Sequence, residues 1–344
     1  MSSSTSSSEL VDGGSVASGP VAGRAAAEGA AARAGARWWL YLRTPAFVLA
    51  VLLLVEVGVR VTEERLSLDV EHIHEMGDIV RDLADAPGPS VLFIGNSLTR
   101  RGVDVDLMRA GLDEDGAGDW NVAALYPDDT AVLDWVYLYD RYVIGQDAVP
   151  DVVVVGFGNW HLEDRPISRA QSYRLGRYFA SDRMLGYLIG TELTSLADKI
   201  NVLLSHYSAA FANRERISRR VLSLLPGYEE SARRINDLLK GSEDVAEAPA
   251  TYERLERLVK EVEGSGAELV LTAMPTRSGY DLDPQLVKVA EEAGARVIDL
   301  REVPGLTTEM FEDPLHLGPE GAALYTSYAA EALAPLLSRS AAVQ

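Results

Sequence analysis

Val91-Leu92-Phe93-Ile94-Gly95-Asn96-Ser97-Leu98 is the stretch that decides the fold. Four apolar residues in succession, without polar alternation, describe a strand buried on both faces, as in a parallel sheet covered by helices on each side. Gly95-Asn96 breaks the run with turn-forming residues, and Ser97 stands at the bend. Working outward, the same pattern recurs. Val152-Val153-Val154-Val155 is the strongest repeat, Trp120 to Ala123 a weaker one, and Leu269 to Ala273 and Arg296 to Leu300 follow. Helical patterns lie between them, so the expectation is an α/β fold with a parallel sheet. In such sheets sites form beyond the C-terminal strand ends, where Ser97 and Asn159 fall. Residues 165–262 break the alternation and read as a helical insertion between the third and fourth strands, with a loop around Glu243–Glu247 and Pro249.

The second informative stretch is Asp313-Pro314-Leu315-His316, followed by Leu317-Gly318-Pro319-Glu320-Gly321 and an apolar helical pattern. A serine hydroxyl is a poor nucleophile until a base removes its proton. An imidazole with a carboxylate on the same short segment provides such a base with its tautomer set. Ser97, His316 and Asp313 are therefore the candidate nucleophile, base and orienting acid.

The 344 residues carry a formal net charge of −20, 47% hydrophobic residues and no cysteine. The acidity argues against nucleic-acid partners, which require a basic footprint. Without cysteine there is no disulfide framework, cysteine nucleophile or thiolate metal site. No cofactor is implied. In Glu71-His72-Ile73-His74-Glu75 the histidines are two apart with no third ligand in view, so a solvated helix is expected rather than a metal site. His206 reads as structural, His161 as structural or substrate-facing, and Tyr137, Tyr139 and Tyr142 as helix packing.

Residues 1–36 are rich in Ser, Ala and Gly and read as a disordered tail. Residues 37–62 read as a transmembrane anchor. Trp38, Trp39 and Tyr41 suit an interface, and Ala46 to Val55 contain no polar residue. The 16 residues between Arg43 and Arg60 span about 24 Å of helix, and flanking arginines snorkel to make up the remaining thickness. A buried helix of a soluble protein is the competing reading. Arg24, Arg33, Arg37 and Arg43 precede the span, which places the N-terminus in the cytoplasm and the rest outside. A linker helix over 63–87 leads to the main domain at 88–340.

These motifs resemble the SGNH/GDSL hydrolase superfamily over about residues 88 to 338. Gly95-Asn96-Ser97-Leu98 is similar to its first block, usually Gly-Asp-Ser-Leu, and Asp313-Pro314-Leu315-His316 to its last, Asp-x-x-His. The resemblance implies a three-layer α/β/α sandwich with strand order 2-1-3-4-5, and a triad of Ser97, His316 and Asp313. It implies oxyanion donors from the serine amide, a second-block amide and a third-block asparagine. Gly158-Asn159 matches the third block. In the second, Asn121-Val122-Ala123-Ala124-Leu125-Tyr126-Pro127, Tyr126 stands where the family has glycine. With the anchor and insertion, the chain resembles envelope-modifying members such as alginate O-acetyltransferase and teichoic acid D-alanylation proteins. The expected activity is that of a serine esterase or O-acyltransferase on acyl, most simply acetyl, esters. Its partners would be an envelope polysaccharide or small acyl ester and, by analogy, a membrane-bound O-acyltransferase. The alternative is a non-catalytic scaffold of the same fold that binds an envelope glycan or a membrane partner.

Overall fold

The computed structural model describes residues 43–225, 227–228, 230–231 and 250–341. The Ser/Ala/Gly-rich tail, Trp38, Trp39, Tyr41 and the Glu243–Glu247 loop lie outside the described residues. The chain divides after Val57 into two units. In the first, the described residues belong to α1 (Arg43–Leu66), a helix long and apolar enough to cross a membrane; it continues into the second unit.

The second unit is built on a five-stranded parallel sheet of order β2-β1-β3-β4-β5, with β1 Ser90–Ile94, β2 Asn121–Leu125, β3 Val152–Phe157, β4 Glu268–Ala273 and β5 Arg296–Asp299. All four pairings are parallel, with Leu92 opposite Ala123 on one side and Val153 on the other. The period-2 alternation of side chains divides each strand between two cores. Leu92, Ile94, Val153, Val155, Leu269 and Leu271 face one core. Val91, Phe93, Val152, Val154 and Val270 face the other. Both are covered by helices, which is why these strands read as continuous apolar runs.

On the first face lie α2 (Leu68–Asp85), α5 (Val132–Leu138) and the helices Glu253–Ser265 and Pro284–Ala293. On the second lie α3 (Ser97–Gly102), α4 (Val105–Glu114) and the C-terminal helix Pro319–Ala341. The expected linker over 63–87 is a core element instead. Val70, Ile73, Met76, Val80 and Leu83 of α2 recur at helical spacing and are buried on the sheet. Glu253–Ser265, within the stretch read as insertion, likewise buries Leu255, Leu258, Val259 and Val262 on the first face and forms the crossover into β4. The helices between Arg169 and Leu222 stand outside the alternation. Arg174, buried, fastens them. Its Nε donates to Asp134 Oδ1 of α5 at 3.2 Å and its Nη2 to the Asp129 carbonyl at 2.5 Å.

Candidate active site

The bend after β1 needs glycine. A Cβ at Gly95 would fall 1.9 Å from Thr99 Oγ1 and 3.2 Å from the Gly156 carbonyl. Asn96 does two things at once. Its Oδ1 accepts the Leu98 amide at 2.9 Å, capping α3, and its Nδ2 donates to the Thr130 carbonyl at 2.9 Å. Thr130 Oγ1 and Trp135 Nε1 both donate to the Gly95 carbonyl at 3.1 Å. The turn is thus clamped from the β2–α5 loop, and Ser97 is held as the first residue of α3. Its amide N–H has no intrahelical acceptor there.

The Asp313–His316 segment is pinned independently. Gly318 N–H donates to the Met310 carbonyl at 2.7 Å, Glu312 N–H to the His316 carbonyl at 3.0 Å, and Arg277 N–H to the Pro314 carbonyl at 3.1 Å. Leu317 is buried in the second core beside Gly102 and Tyr325. This packing brings Ser97 to Asp313 and His316, which lie more than two hundred positions further along the chain. His316 Nε2 lies 2.8 Å from Ser97 Oγ, and His316 Nδ1 lies 2.8 Å from Asp313 Oδ2. The other Asp313 oxygen accepts the amides of Leu315 and His316 at 2.7 and 2.9 Å. Partial burial pushes the Asp313 carboxyl up, but the His316 bond and these two amides outweigh it and bring it down to about 2. An ionised carboxylate therefore faces Nδ1, so that ring nitrogen carries hydrogen and Nε2 is left to accept from the serine.

The remaining predicted residues are placed differently. Tyr126 sits at the end of β2, but its amide does not face an open site: it donates to His72 Nε2 of α2 at 3.1 Å. The two rings stack with centroids 4.2 Å apart and planes 8° from parallel. Gly158 lies against the turn that carries Ser97, since a Cβ there would fall 2.8 Å from Leu98 Cδ1. Its amide too is occupied, donating to His161 Nδ1 at 3.1 Å. The second-block backbone donor expected for an oxyanion is thus captured by an imidazole, and this corrects the reading of Tyr126; Gly158 keeps its place beside Ser97, with its own amide held by His161. Asn159 is exposed, has φ 48° in the left-handed region that asparagine tolerates, and has no side-chain hydrogen bond among the described residues.

Sequence reasoning missed the roles of His72 and His161. Burial is the chief cause that brings each down to about 4, and the nearby cations Arg100 and Arg165 act in the same direction. Both are neutral near pH 7. Each accepts a backbone amide on one nitrogen and therefore carries hydrogen on the other. The expected solvated helix is corrected at His72, which is folded onto Tyr126. The signal was present in the spacing: His72 adjoins Ile73 on the apolar face of α2. Among the described residues no cluster of His, Cys, Asp or Glu suits a metal.

Arg100, one turn beyond Ser97, pairs with Asp128 at 2.8 Å. Asp128 and Asp129 begin the wall of a cavity of about 840 Å³ that continues past Arg174 to Arg216, Arg219 and Arg220. A smaller cavity of about 220 Å³, lined by Asp129, Trp160, Arg165 and Arg174, opens on the other side of Asp129.

No family model matches this chain, and no curated protein matches it. Solved structures do. A lipase/acylhydrolase from Enterococcus faecalis is 16% identical, covering 72% of this chain and 97% of its own, at a TM-score of 0.35. An acetylxylan esterase from Geobacillus stearothermophilus is 16% identical, with coverages of 71% and 94% and a TM-score of 0.36. A lipase from a goat rumen metagenome is 13% identical, with coverages of 71% and 97% and a TM-score of 0.28.

Proposed function

We propose that this chain is a membrane-anchored serine esterase or O-acyltransferase of SGNH type, acting on acyl esters of cell-envelope glycans. One observation carries the reading: the unbroken Ser97–His316–Asp313 chain at 2.8 and 2.8 Å beyond the end of a parallel strand. Ser97 Oγ attacks the ester carbonyl while His316 Nε2 takes its proton, and Asp313 stabilises the resulting imidazolium. The tetrahedral intermediate collapses as His316 returns the proton to the departing alkoxide, leaving an acyl ester on Ser97. Water or a glycan hydroxyl, deprotonated by His316, then attacks that ester and releases the serine. The Ser97 amide and the Asn159 side chain are the donors proposed for the oxyanion. The positive-inside pattern of arginines around α1 supports a cytoplasmic N-terminus and an extracytoplasmic catalytic unit.

The test uses the full chain in detergent or membranes, one sample labelled with a fluorophosphonate and a separate, unlabelled sample given an acetyl ester with and without an oligosaccharide acceptor. An adduct at Ser97 and acetate release without acceptor support an esterase. Acetyl transfer that requires the acceptor supports a transferase.

The captured amide of Tyr126 favours a second reading, a non-catalytic scaffold of the same fold, because a missing oxyanion donor costs about 100- to 1,000-fold in rate. A folded chain that gives no Ser97 adduct supports this scaffold.

A further inference from the structure

The helix Leu196–Tyr207 carries apolar residues on the wrong side. Its inner face buries Val202 and Ser205. Its outer face presents Leu196, Ile200, Leu203, Leu204 and Tyr207, spaced i, i+4, i+7, i+8 and i+11, which is one continuous stripe at 3.6 residues per turn. Leu196 is 72% exposed, Leu204 45% and Tyr207 67%. A run of this kind on a water-facing helix is a mark of an interaction surface.

The chain itself indicates what covers it. Arg60 closes the apolar run of α1, where the candidate span meets water, and its Nη2 donates to the Tyr207 carbonyl at 2.9 Å. The C-terminal end of the stripe is thereby held to the arginine that closes the apolar run. A second exposed apolar group, Val221, Leu224 and Leu225, adjoins the end of α1, because Leu224 shares a cavity wall with Leu66. The exposed Arg219 and Arg220 line that cavity and have no ion pair among the described residues. Exposed apolar side chains, a tyrosine and unpaired arginines together are the residue types that suit the interface of a bilayer.

We propose that the outer face of Leu196–Tyr207 lies in the lipid interface, as a second attachment that holds the catalytic unit flat against the membrane. This rests on α1 spanning the bilayer. The attachment restricts the unit to acyl donors and acceptors presented at the membrane surface.

The absence of cysteine makes the test clean. The full chain is reconstituted in vesicles of phosphatidylcholine and phosphatidylglycerol containing nitroxide lipids, with a fluorophore on one introduced cysteine. The sites are Ile200→Cys, Leu204→Cys, Leu52→Cys within the span and Asp106→Cys on α4 as a water-side control. We expect quenching at Ile200 and Leu204 approaching that at Leu52, and little at Asp106. Quenching at Leu52 with none at Ile200 or Leu204 overturns the attachment while leaving the anchor intact, and shows that a protein partner or water covers the stripe. No quenching at Leu52 removes the anchor and the attachment together. A labelled variant that fails to fold is recognised by its loss of near-UV circular dichroism, and Leu203→Cys on the same stripe replaces it with the same expected quenching.

Discussion

Ser97 stands between two sides that use the same side chain in opposite ways. On the C-terminal side His316 faces a carboxylate, Asp313, and its free nitrogen points at the serine hydroxyl. On the β2 and β3 side, burial keeps His72 and His161 neutral and each accepts a backbone amide, that of Tyr126 being the donor an oxyanion would otherwise use. An imidazole takes its role from its partner: beside an anion it is equipped to accept a proton, beside an N–H in a buried place it is locked as a neutral acceptor. The site therefore has a complete proton-transfer side and a reduced oxyanion side.

Substitutions on each side of Ser97 test this contrast. The largest effect is expected on the His316 side. Ser97→Ala or His316→Ala should lower ester turnover by about 10⁴- to 10⁶-fold, with little gained by combining them; assays of single and double variants read this directly. Additive losses would mean the two groups do not act as a unit. Next is the clip that holds the opposite side together. Arg174→Ala leaves Asp134 buried without its cation and should cost about 3–5 kcal/mol of stability, seen as a lowered thermal midpoint. A near-neutral result would show that the insertion is not tied through α5.

On the oxyanion side, Asn159→Ala should reduce kcat by about 100- to 1,000-fold with KM little changed. A change in KM alone would make Asn159 a substrate contact instead. The smallest effect separates the imidazoles by pH. His72 has a folded value near 4 against an ordinary 6.5, so above 6.5 neither state holds the proton and nothing is lost. As pH falls from 6.5 to 4 the unfolded chain takes up protons that the folded chain refuses, and stability falls by up to about 3 kcal/mol. His161 acts in the same window. His72→Gln should flatten the acid limb of a denaturation–pH profile between those values, whereas Asp313→Asn should lower stability evenly above the ordinary carboxylate value of 3.8 and change the slope only below it, where the wild-type contribution is lost.

Much of the architecture was legible in the residues. Val91–Ile94, Val152–Val155 and Leu269–Ala273 fall within observed strands, because a strand buried on both faces leaves no room for polar residues. The turn at Gly95-Asn96-Ser97 was equally plain, since glycine is required where Thr99 crosses the backbone. The role of α2 was not. Its apolar stripe is compatible with a linker lying on any surface, and only contact with the sheet makes it core. Tyr126 misled for a related reason: a motif names a residue, but an amide N–H is free or taken according to what packs across from it.

The sequence by itself determined the parallel sheet, the apolar span of α1 and which serine, histidine and acid were candidates, because these follow from local pattern and side-chain chemistry. Tertiary structure alone decided that Ser97 meets His316, that His72 and His161 consume two amides, and that a helix far along the chain ends beside Arg60. Those are contacts across long sequence separations, set by packing of whole elements, and no local pattern encodes which groups such packing brings within hydrogen-bond reach.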